Sequence, residues 1–360
     1  MQERVQAWIR PGIRALSAYH VQDASGLIKL DAMENPYTWP EEMRREWLER
    51  LRRIDVNRYP DPQARALTEE LRQAMDVPRG MGMLLGNGSD EIIQMLALAV
   101  SGEGRSILSV EPGFVMYRMI AAWCRMEYVP VSLQADDFSL DMPALRQAIA
   151  SHQPALIFLA CPNNPTGNLF AEEDILEILQ IAPGLVVVDE AYAPFADISF
   201  MSRLGQHDNL LVMRTVSKLG LAGLRLGLLA GPQAWLREID KVRMPYNINV
   251  LTQESARFAL EHHAVLDEQT ADIRRDRQQM FDALQSMDGI TAYPSQANFL
   301  LVRTSAGQAL PLFDALLSNG VLVKKLHGSH PLLQDCLRFT VGRPEENQRL
   351  LQLVEDFLHG

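Results

Sequence analysis

The chain has 360 residues, of which 47% are apolar and 22% are charged, and its formal net charge is −11. This length predicts two domains, or one large domain with an appendage, and enough apolar residues for a large core without disulfide or metal staples. The acidic balance argues against broad nucleic-acid or anionic-membrane binding. The chain also has no apolar run near the roughly 18 residues that a membrane span needs.

The cysteine content and the first residues bear on location. Three cysteines are too few for a disulfide framework and suit a reducing cytoplasm. Glu3, Arg4 and Arg10 interrupt any apolar run at the start of the chain, so we expect no secretory signal. The eight histidines show no metal-ligand spacing. We therefore expect a cytoplasmic protein without a metal site.

Short apolar strands alternate with longer stretches of helical period through the first two thirds of the chain. In chain order we predict a helix at 90–100, a strand at 106–110, helices at 114–124 and 142–151, a strand at 156–160, a helix at 172–180, and strands at 185–188 and 210–213. Strands that alternate with helices predict a mostly parallel sheet covered on both faces. The continuous apolar run at 185–188 fits a strand buried on both sides.

The C-terminal third has a different pattern. A long helical stretch at 251–287 precedes strands at 290–293, 299–302, 321–324 and 337–341, with a helix near 310–318. This pattern predicts a smaller α/β domain. The first 40 or so residues have little periodicity, and we expect them to lie over other parts of the molecule. The expected division is an N-terminal segment at 1–45 that joins the small domain, a large domain at 46–265 and the small domain at 266–360.

Four motifs follow predicted strands, at the strand ends where open α/β sheets bind ligands. The first is the turn GNGSDE at 86–91, before an apolar helix. Its glycines allow close approach of a ligand, and the free N–H groups and dipole of the helix favour a phosphate. We expect Ser89 or Asp90 to cap the helix. The alternative is an ordinary capped helix after a tight turn.

Two further motifs offer polar side chains. In CPNNPTG, at 161–167, two prolines stiffen a loop whose asparagines are hydrogen-bond donors, although a plain loop is the alternative. In DEAY, at 189–192, Asp189 lies at the tip of a buried strand and needs a cationic partner, for which a protonated ring nitrogen would serve. Tyr192 would lie on the same side if a helical turn starts there. The alternative is an aspartate that caps the next helix.

The fourth motif, TVSKLGLAGLRLG at 215–227, places Lys218 among small and apolar residues. Partial burial lowers the pKa of a lysine and makes its amine a nucleophile for a carbonyl. Thr215, Ser217 and Arg225 would together suit a phosphate. An exposed lysine in a glycine-rich loop is the alternative. In combination, a phosphate cradle, a hydrogen-bonding loop, a strand-end acid and an activated lysine are the parts that hold pyridoxal 5′-phosphate.

These motifs resemble those of the fold-type I pyridoxal-phosphate-dependent aminotransferases. PNNPTG, DEAY and SK…LAGLRLG, in this order, carry the resemblance, which extends over nearly the whole chain. The stretches RYPDP, GNGSDEII, PYNIN and LRFTVGRPEEN are similar to the histidinol-phosphate aminotransferase subfamily. The resemblance implies an α/β fold with a large domain, whose mostly parallel sheet is sandwiched by helices, and a smaller α/β domain built from both termini.

The resemblance also implies roles for individual residues around the cofactor. Lys218 is the Schiff-base lysine and the proton shuttle, and Asp189 pairs with the pyridinium. Tyr192 and Asn164 contact the phenolate oxygen, and Phe114 stacks on the ring. The residues expected around the phosphate are Gly88, Ser89, Asp90, Thr215, Ser217 and Arg225.

Other residues are expected to bind substrate or to join two subunits. Tyr59, in RYPDP, resembles a tyrosine that reaches the phosphate in the partner subunit, which implies an obligate homodimer with shared active sites. Arg338 resembles the arginine that binds an α-carboxylate, and its planar fork also suits a phosphate. Lys324 stands where many relatives have an arginine for the substrate phosphate. The expected pocket residues are Tyr19, Tyr246 and Asn247.

The expected activity is ping-pong transamination between L-glutamate and imidazole acetol phosphate, which yields 2-oxoglutarate and L-histidinol phosphate in histidine biosynthesis. An aromatic amino-acid aminotransferase and a threonine-phosphate decarboxylase would share the cofactor residues. A regulatory protein with a degenerate aminotransferase fold is a further alternative, against which the intact Lys218 and Asp189 argue. A nicotinamide dehydrogenase is disfavoured because no G-x-G-x-x-G follows the first strand.

Overall fold

The computed structural model describes residues 1–18 and 21–360. The strands in chain order are β1 (Ile28–Leu30), β2 (Gly82–Gly86), β3 (Ser106–Glu111), β4 (Glu127–Ser132), β5 (Leu156–Ala160), β6 (Leu185–Asp189), β7 (Leu210–Thr215), β8 (Gly227–Gly231), β9 (Ile290–Ala292), β10 (Phe299–Thr304), β11 (Val321–Lys325) and β12 (Cys336–Thr340). The α-helices are α1 (Gln2–Trp8), α2 (Pro11–Arg14), α3 (Glu41–Leu51), α4 (Arg65–Ala74), α5 (Gly88–Val100), α6 (Val115–Trp123), α7 (Met142–His152), α8 (Glu172–Ile181), α9 (Gln233–Ile239), α10 (Val250–Glu261), α11 (His263–Gln285), α12 (Ala309–Ser318) and α13 (Pro344–His359). Within the described ranges, none of these helices is long and apolar enough to cross a bilayer.

A seven-stranded sheet forms the centre of the molecule, in the order β2-β8-β7-β6-β5-β3-β4. The pairs from β7 to β4 are parallel, and β8 runs antiparallel to both of its neighbours. The segment between β7 and β8 contains only short 3-10 turns. Because a parallel crossover needs a dozen or more residues, usually with a helix, this short connection returns the chain antiparallel. The mixed α/β fold with a mostly parallel sheet confirms the predicted fold class.

Helices cover both faces of this sheet. Along β6, Val186 and Val188 face one apolar core, and Leu185 and Val187 face the other, as the period of two in a strand requires. The first core includes buried residues from α4, α7, α8 and α10, and the second includes residues from α5, α6 and α9. All five residues of β6 are buried, which explains the apolar run at 185–188 that precedes Asp189.

A second sheet of five strands has the order β1-β11-β12-β10-β9. The N-terminal strand β1 pairs parallel with β11, so residues 28–30 belong to a sheet whose other strands come from the C-terminal third. This pairing is consistent with the expectation that the N-terminal segment at 1–45 joins the small domain. The boundaries at residues 45 and 265 stay a prediction.

The helical stretch predicted at 251–287 is confirmed, and it consists of two helices, α10 and α11. His262 separates them with backbone angles of φ −106° and ψ 28°. Its Nε2 lies 3.2 Å from Glu46 Oε2, and its Nδ1 lies 3.0 Å from the carbonyl oxygen of Phe258. A break of one residue leaves the apolar period almost unchanged, and periodicity alone therefore did not reveal it.

Candidate active site

A cavity of about 410 Å³ lies at the carboxyl ends of β5, β6 and β7. Each of these strands supplies one or more polar residues to it, from its last residue or from the segment that follows, as expected for an open parallel sheet. The predicted site residues that line it are Ser89, Asp90, Phe114, Asn164, Asp189, Tyr192, Thr215, Ser217, Lys218 and Arg225. The structure thus brings together ten side chains that are separated by up to 136 positions in the sequence.

Lys218 lies in a 3-10 turn directly after β7, where its amine faces the cavity. Burial lowers the pKa of this lysine to about 8, and the nearby positive charge of Arg338 acts in the same direction. Its Nζ lies 3.4 Å from the carbonyl oxygen of Ala32, as a weak donor. With a pKa of about 8, roughly a tenth of this amine is neutral at pH 7, and the neutral amine is a nucleophile for a carbonyl carbon.

Asp189 is the last residue of β6 and is only 3% exposed. Burial raises the pKa of its carboxyl to about 6, although hydrogen bonds from the Tyr117 hydroxyl and the Ala191 N–H oppose the rise. The Tyr117 hydroxyl donates to Oδ2 over 2.7 Å, and the Ala191 N–H donates to Oδ1 over 3.1 Å. A buried carboxylate that lines a cavity is suited to a cationic N–H on a bound molecule.

The glycine-rich turn and the start of α5 form a polar cradle beside Arg225. Gly88 has a φ of +78°, and a Cβ at this position would lie 2.5 Å from Arg225 Nη2. Arg225 Nη2 also lies 3.3 Å from Asp90 Oδ2. Across the cradle, Thr215 Oγ1 and Ser217 Oγ lie 2.8 Å apart. A guanidinium, two hydroxyls and a helix N-terminus together match the charge and the acceptors of a phosphate.

The expected helix cap was wrong. Asn87 occupies the cap position of α5, and Ser89 and Asp90 lie within the first turn. The Asn87 N–H donates to Glu91 Oε2 over 2.6 Å, and Asn247 Nδ2 donates to the same carboxylate over 2.9 Å. This arrangement leaves Ser89 and Asp90 facing the cavity, because the end of the helix is stabilised from the other side.

A chain of polar groups connects the far side of the cavity to the small sheet. Asn164 Nδ2 donates to the Tyr192 hydroxyl over 3.1 Å, and Arg338 Nη1 donates to Asn164 Oδ1 over 2.6 Å. Arg338, on β12, is 5% exposed, and its Nη2 donates to the carbonyl oxygen of Asp31 over 2.7 Å. Its neighbour across the strands is Lys324. Burial lowers the pKa of Lys324, and the charge of Arg338 lowers it further.

Four predicted site residues lie away from this cavity or outside the described part of the chain. Tyr59 is 81% exposed and stacks on Tyr246, with ring centroids 4.5 Å apart. Asn247 does not line the cavity. Its amide bonds Glu91 and the carbonyl oxygen of Leu85 behind the glycine-rich turn, where it supports the turn. Tyr19 lies outside the described residues.

The sequence interpretation missed Tyr117, which reaches Asp189, and Met33, which lines the cavity and accepts a hydrogen bond from the Tyr192 hydroxyl over 3.3 Å. A signal for Tyr117 was present, because it follows Phe114 by three residues at the start of a predicted helix and therefore lies near it on the helix surface. Met33 had no comparable signal, because the chain around it has no period. Among the described residues, no group of three potential metal ligands occurs.

Comparison with known proteins gives a consistent result. The sequence profile of the family described as "Aminotransferase class I and II" matches residues 25–354. The chain is 57% identical to "Histidinol-phosphate aminotransferase 2" of Nitrosococcus oceani over 98% of both chains. It is 54% identical to "Histidinol-phosphate aminotransferase 2" of Cupriavidus pinatubonensis, over 97% of this chain and 96% of that one. The structure is similar to that of histidinol-phosphate aminotransferase from Sinorhizobium meliloti in complex with pyridoxal-5′-phosphate, with a TM-score of 0.86 and 22% identity over 98% of both chains. At that identity the structural likeness shows the fold alone.

Proposed function

Because the chain belongs to the class I and II aminotransferase family, we propose that it is a pyridoxal-phosphate-dependent histidinol-phosphate aminotransferase. It exchanges the amino group of L-glutamate with imidazole acetol phosphate and yields 2-oxoglutarate and L-histidinol phosphate. The observation that carries the cofactor chemistry is the convergence of Lys218 and Asp189 on one cavity. The 57% identity to a protein of this name over nearly the full chain supports the substrate assignment.

The residues of the cavity fit pyridoxal phosphate. The cradle at Gly88, where any Cβ would collide with Arg225, suits a phosphate that approaches the backbone closely. The buried carboxylate of Asp189 would hold the protonated ring nitrogen. Asn164 and Tyr192 would contact the phenolate oxygen, and Phe114 would cover the ring face. Lys218 would bind the aldehyde carbon through its amine.

Lys218 would have a second role, as the base that takes a proton from the substrate. When bound, the cofactor supplies an electron sink that makes the substrate α-carbon acidic. The lowered pKa of the Lys218 amine suits it to take the proton from that carbon, because the ideal base has a pKa near the working pH. Ala160 and Met33 form apolar walls of the same pocket.

Arg338 and Lys324 give the substrate end of the site two positive charges on adjacent strands. In one half-reaction Arg338 binds the α-carboxylate of glutamate, and in the other it binds the phosphate of histidinol phosphate. Its planar fork suits both anions. Lys324 adds a point charge without a fixed direction, which matches the higher charge of the phosphate better than that of the single carboxylate.

The reaction itself distinguishes this proposal from its rivals. The purified holoenzyme is given L-histidinol phosphate and 2-oxoglutarate, and glutamate formation is followed. Phenylalanine and tyrosine are tested in parallel as amino donors. O-phospho-L-threonine is tested as well, with carbon dioxide as the product that is measured. We expect the highest kcat/KM with L-histidinol phosphate. A higher value with the aromatic amino acids, or release of carbon dioxide, would replace the proposal with the corresponding rival.

We further propose that the protein is a cytoplasmic homodimer in which Tyr59 of each subunit completes the other's phosphate site. The exposure of Tyr59 and its stacking on Tyr246 support this role, because an exposed aromatic pair suits an interface. Homodimers of Lys218→Ala and of Tyr59→Ala are each expected to be impaired. A mixed dimer has one Lys218→Ala subunit and one Tyr59→Ala subunit, so one of its two shared sites has both residues intact. Activity should therefore return when the two variants are dissociated and reassociated together. Failure to regain activity in verified mixed dimers would refute the shared site.

A further inference from the structure

Tyr117 contacts the candidate active site through Asp189, from outside the cavity. It lies in the first turn of α6 and is 1% exposed, and its hydroxyl donates to Asp189 Oδ2 over 2.7 Å. It does not line the cavity, so it contacts neither cofactor nor substrate in the arrangement described above. Its hydroxyl therefore acts on the site through the carboxylate assigned to the cofactor's ring nitrogen.

Aromatic packing holds the Tyr117 ring in one orientation. The ring stacks on Phe158 of β5, with centroids 4.6 Å apart and planes 9° apart. Phe114 packs edge-on against it, with centroids 5.5 Å apart and planes 85° apart. Two contacts at right angles leave the hydroxyl little freedom to turn away from Asp189. The start of α6 thus positions both the residue expected to cover the cofactor ring and the donor to its carboxylate.

We propose that Tyr117 is a positioning residue that keeps Asp189 ionised and aimed at the cofactor's ring nitrogen, so that the ring proton stays on nitrogen. The proposal rests on the cofactor assignment made above. A hydroxyl that donates to a carboxylate favours its charged form. The Ala191 N–H occupies the other oxygen, over 3.1 Å. With one donor on each oxygen, the carboxylate cannot rotate freely, and its remaining lone pairs stay available to the ring N–H.

Removal of the Tyr117 hydroxyl should shift the proton that lies between the cofactor's ring nitrogen and Asp189. In Tyr117→Phe, Asp189 loses a donor in a buried site, and its carboxyl becomes a stronger base. The proton shared between the ring nitrogen and Asp189 then shifts toward the carboxylate oxygen, and the ring loses positive charge. The aromatic packing is retained, because phenylalanine differs from tyrosine by a single oxygen atom.

The direct test is the ¹⁵N resonance of the ring nitrogen in holoenzyme reconstituted with ¹⁵N-labelled pyridoxal phosphate. We expect the resonance of Tyr117→Phe to move toward that of an unprotonated pyridine. We also expect the dissociation constant of the cofactor to rise about 10-fold, as for loss of a hydrogen bond to a charged group. Tyr128→Phe is the matched control. It removes another largely buried phenol hydroxyl, which bonds Glu111 rather than Asp189, and should leave the resonance unchanged.

A double-mutant cycle separates positioning from mere packing. If Tyr117 acts through Asp189, Tyr117→Phe should change the cofactor's dissociation constant very little in an Asp189→Asn background. An equal change in both backgrounds would overturn the proposal, and so would a wild-type-like resonance in Tyr117→Phe. A wild-type protein that forms no absorbance band with pyridoxal phosphate would instead refute the proposed function, which keeps the two failures distinguishable.

Discussion

Replacement of Arg338 by lysine tests whether one guanidinium binds both substrates. The two nitrogens of its fork donate to Asn164 Oδ1 over 2.6 Å and to the carbonyl oxygen of Asp31 over 2.7 Å. A single ammonium cannot keep both bonds and still present a planar pair of donors to an anion. We expect the loss of about one charge-assisted hydrogen bond to each substrate, which is about 1.5–3 kcal/mol. At about 1.4 kcal/mol for each factor of ten, kcat/KM should fall roughly 10- to 150-fold.

The assay measures the two half-reactions separately, by single-turnover absorbance with L-glutamate and with L-histidinol phosphate. Both kcat/KM values should fall in Arg338→Lys. Arg303→Lys is the matched control, because Arg303 lies on the adjacent strand β10 and bonds Cys336 Sγ and the carbonyl oxygen of Leu332, outside the cavity. An Arg338→Lys enzyme that loses activity with only one of the two substrates would refute a shared anion site.

Three further predictions concern the cofactor residues. Lys218→Ala should abolish turnover and the absorbance band of covalently bound cofactor, and full activity in this variant would overturn the cofactor assignment. In wild-type apoprotein, the rate of reconstitution with pyridoxal phosphate should rise with pH to about 8 and then level off, because the Lys218 amine must be neutral to attack; a flat profile would contradict the lowered pKa. Asp189→Asn should stabilise the apoprotein at pH 7, where the carboxyl is ionised at a cost, by up to about 3 kcal/mol in urea unfolding. A lower stability of this variant would show that the carboxylate is not strained by burial.

Much of the candidate site could be predicted because its reactive residues lie at or just after the ends of strands. Asp189 directly follows the apolar run at 185–188, and Lys218 comes five residues after the run at 210–213. The parallel sheet places the ends of both strands at one edge. A buried carboxylate and a buried amine have few structural uses, so their residue types carried information by themselves. The assignment of Asn164 and Arg225 required the motifs as well, because an asparagine or an arginine in a loop is common.

Other features depend on contacts that local sequence does not encode. The antiparallel direction of β8 follows from the short connection after Lys218, whereas its sequence, GLLAG, resembles that of a parallel strand. The helix cap at Asn87 depends on Glu91 and Asn247, and Asn247 is 160 residues away. Asn247 itself was expected in the substrate pocket, but its amide stabilises the turn that holds the cradle. For the helix cap and for Asn247, a partner far away in the sequence, rather than local propensity, decided the outcome.

Tyr117 illustrates the same limit at the level of function. Its place in the helix was predictable, but its importance depends on where Asp189 lies, 72 residues later. Neither residue by itself indicates the pair, since a buried tyrosine in an apolar helix is most simply a core residue. The hydrogen bond became visible only when both ends of the contact were placed in space.

In the proposed reaction, this cavity transfers an amino group from a phosphate-bearing donor to a cofactor held by Lys218. This proposal is tested most directly by one half-reaction, in which the purified holoenzyme receives L-histidinol phosphate with no keto acid while its absorbance is recorded. We expect loss of the absorbance band of the bound cofactor, conversion to the aminated form, and reversal on addition of 2-oxoglutarate. An unchanged spectrum with L-histidinol phosphate, together with conversion by phenylalanine or tyrosine, would contradict it.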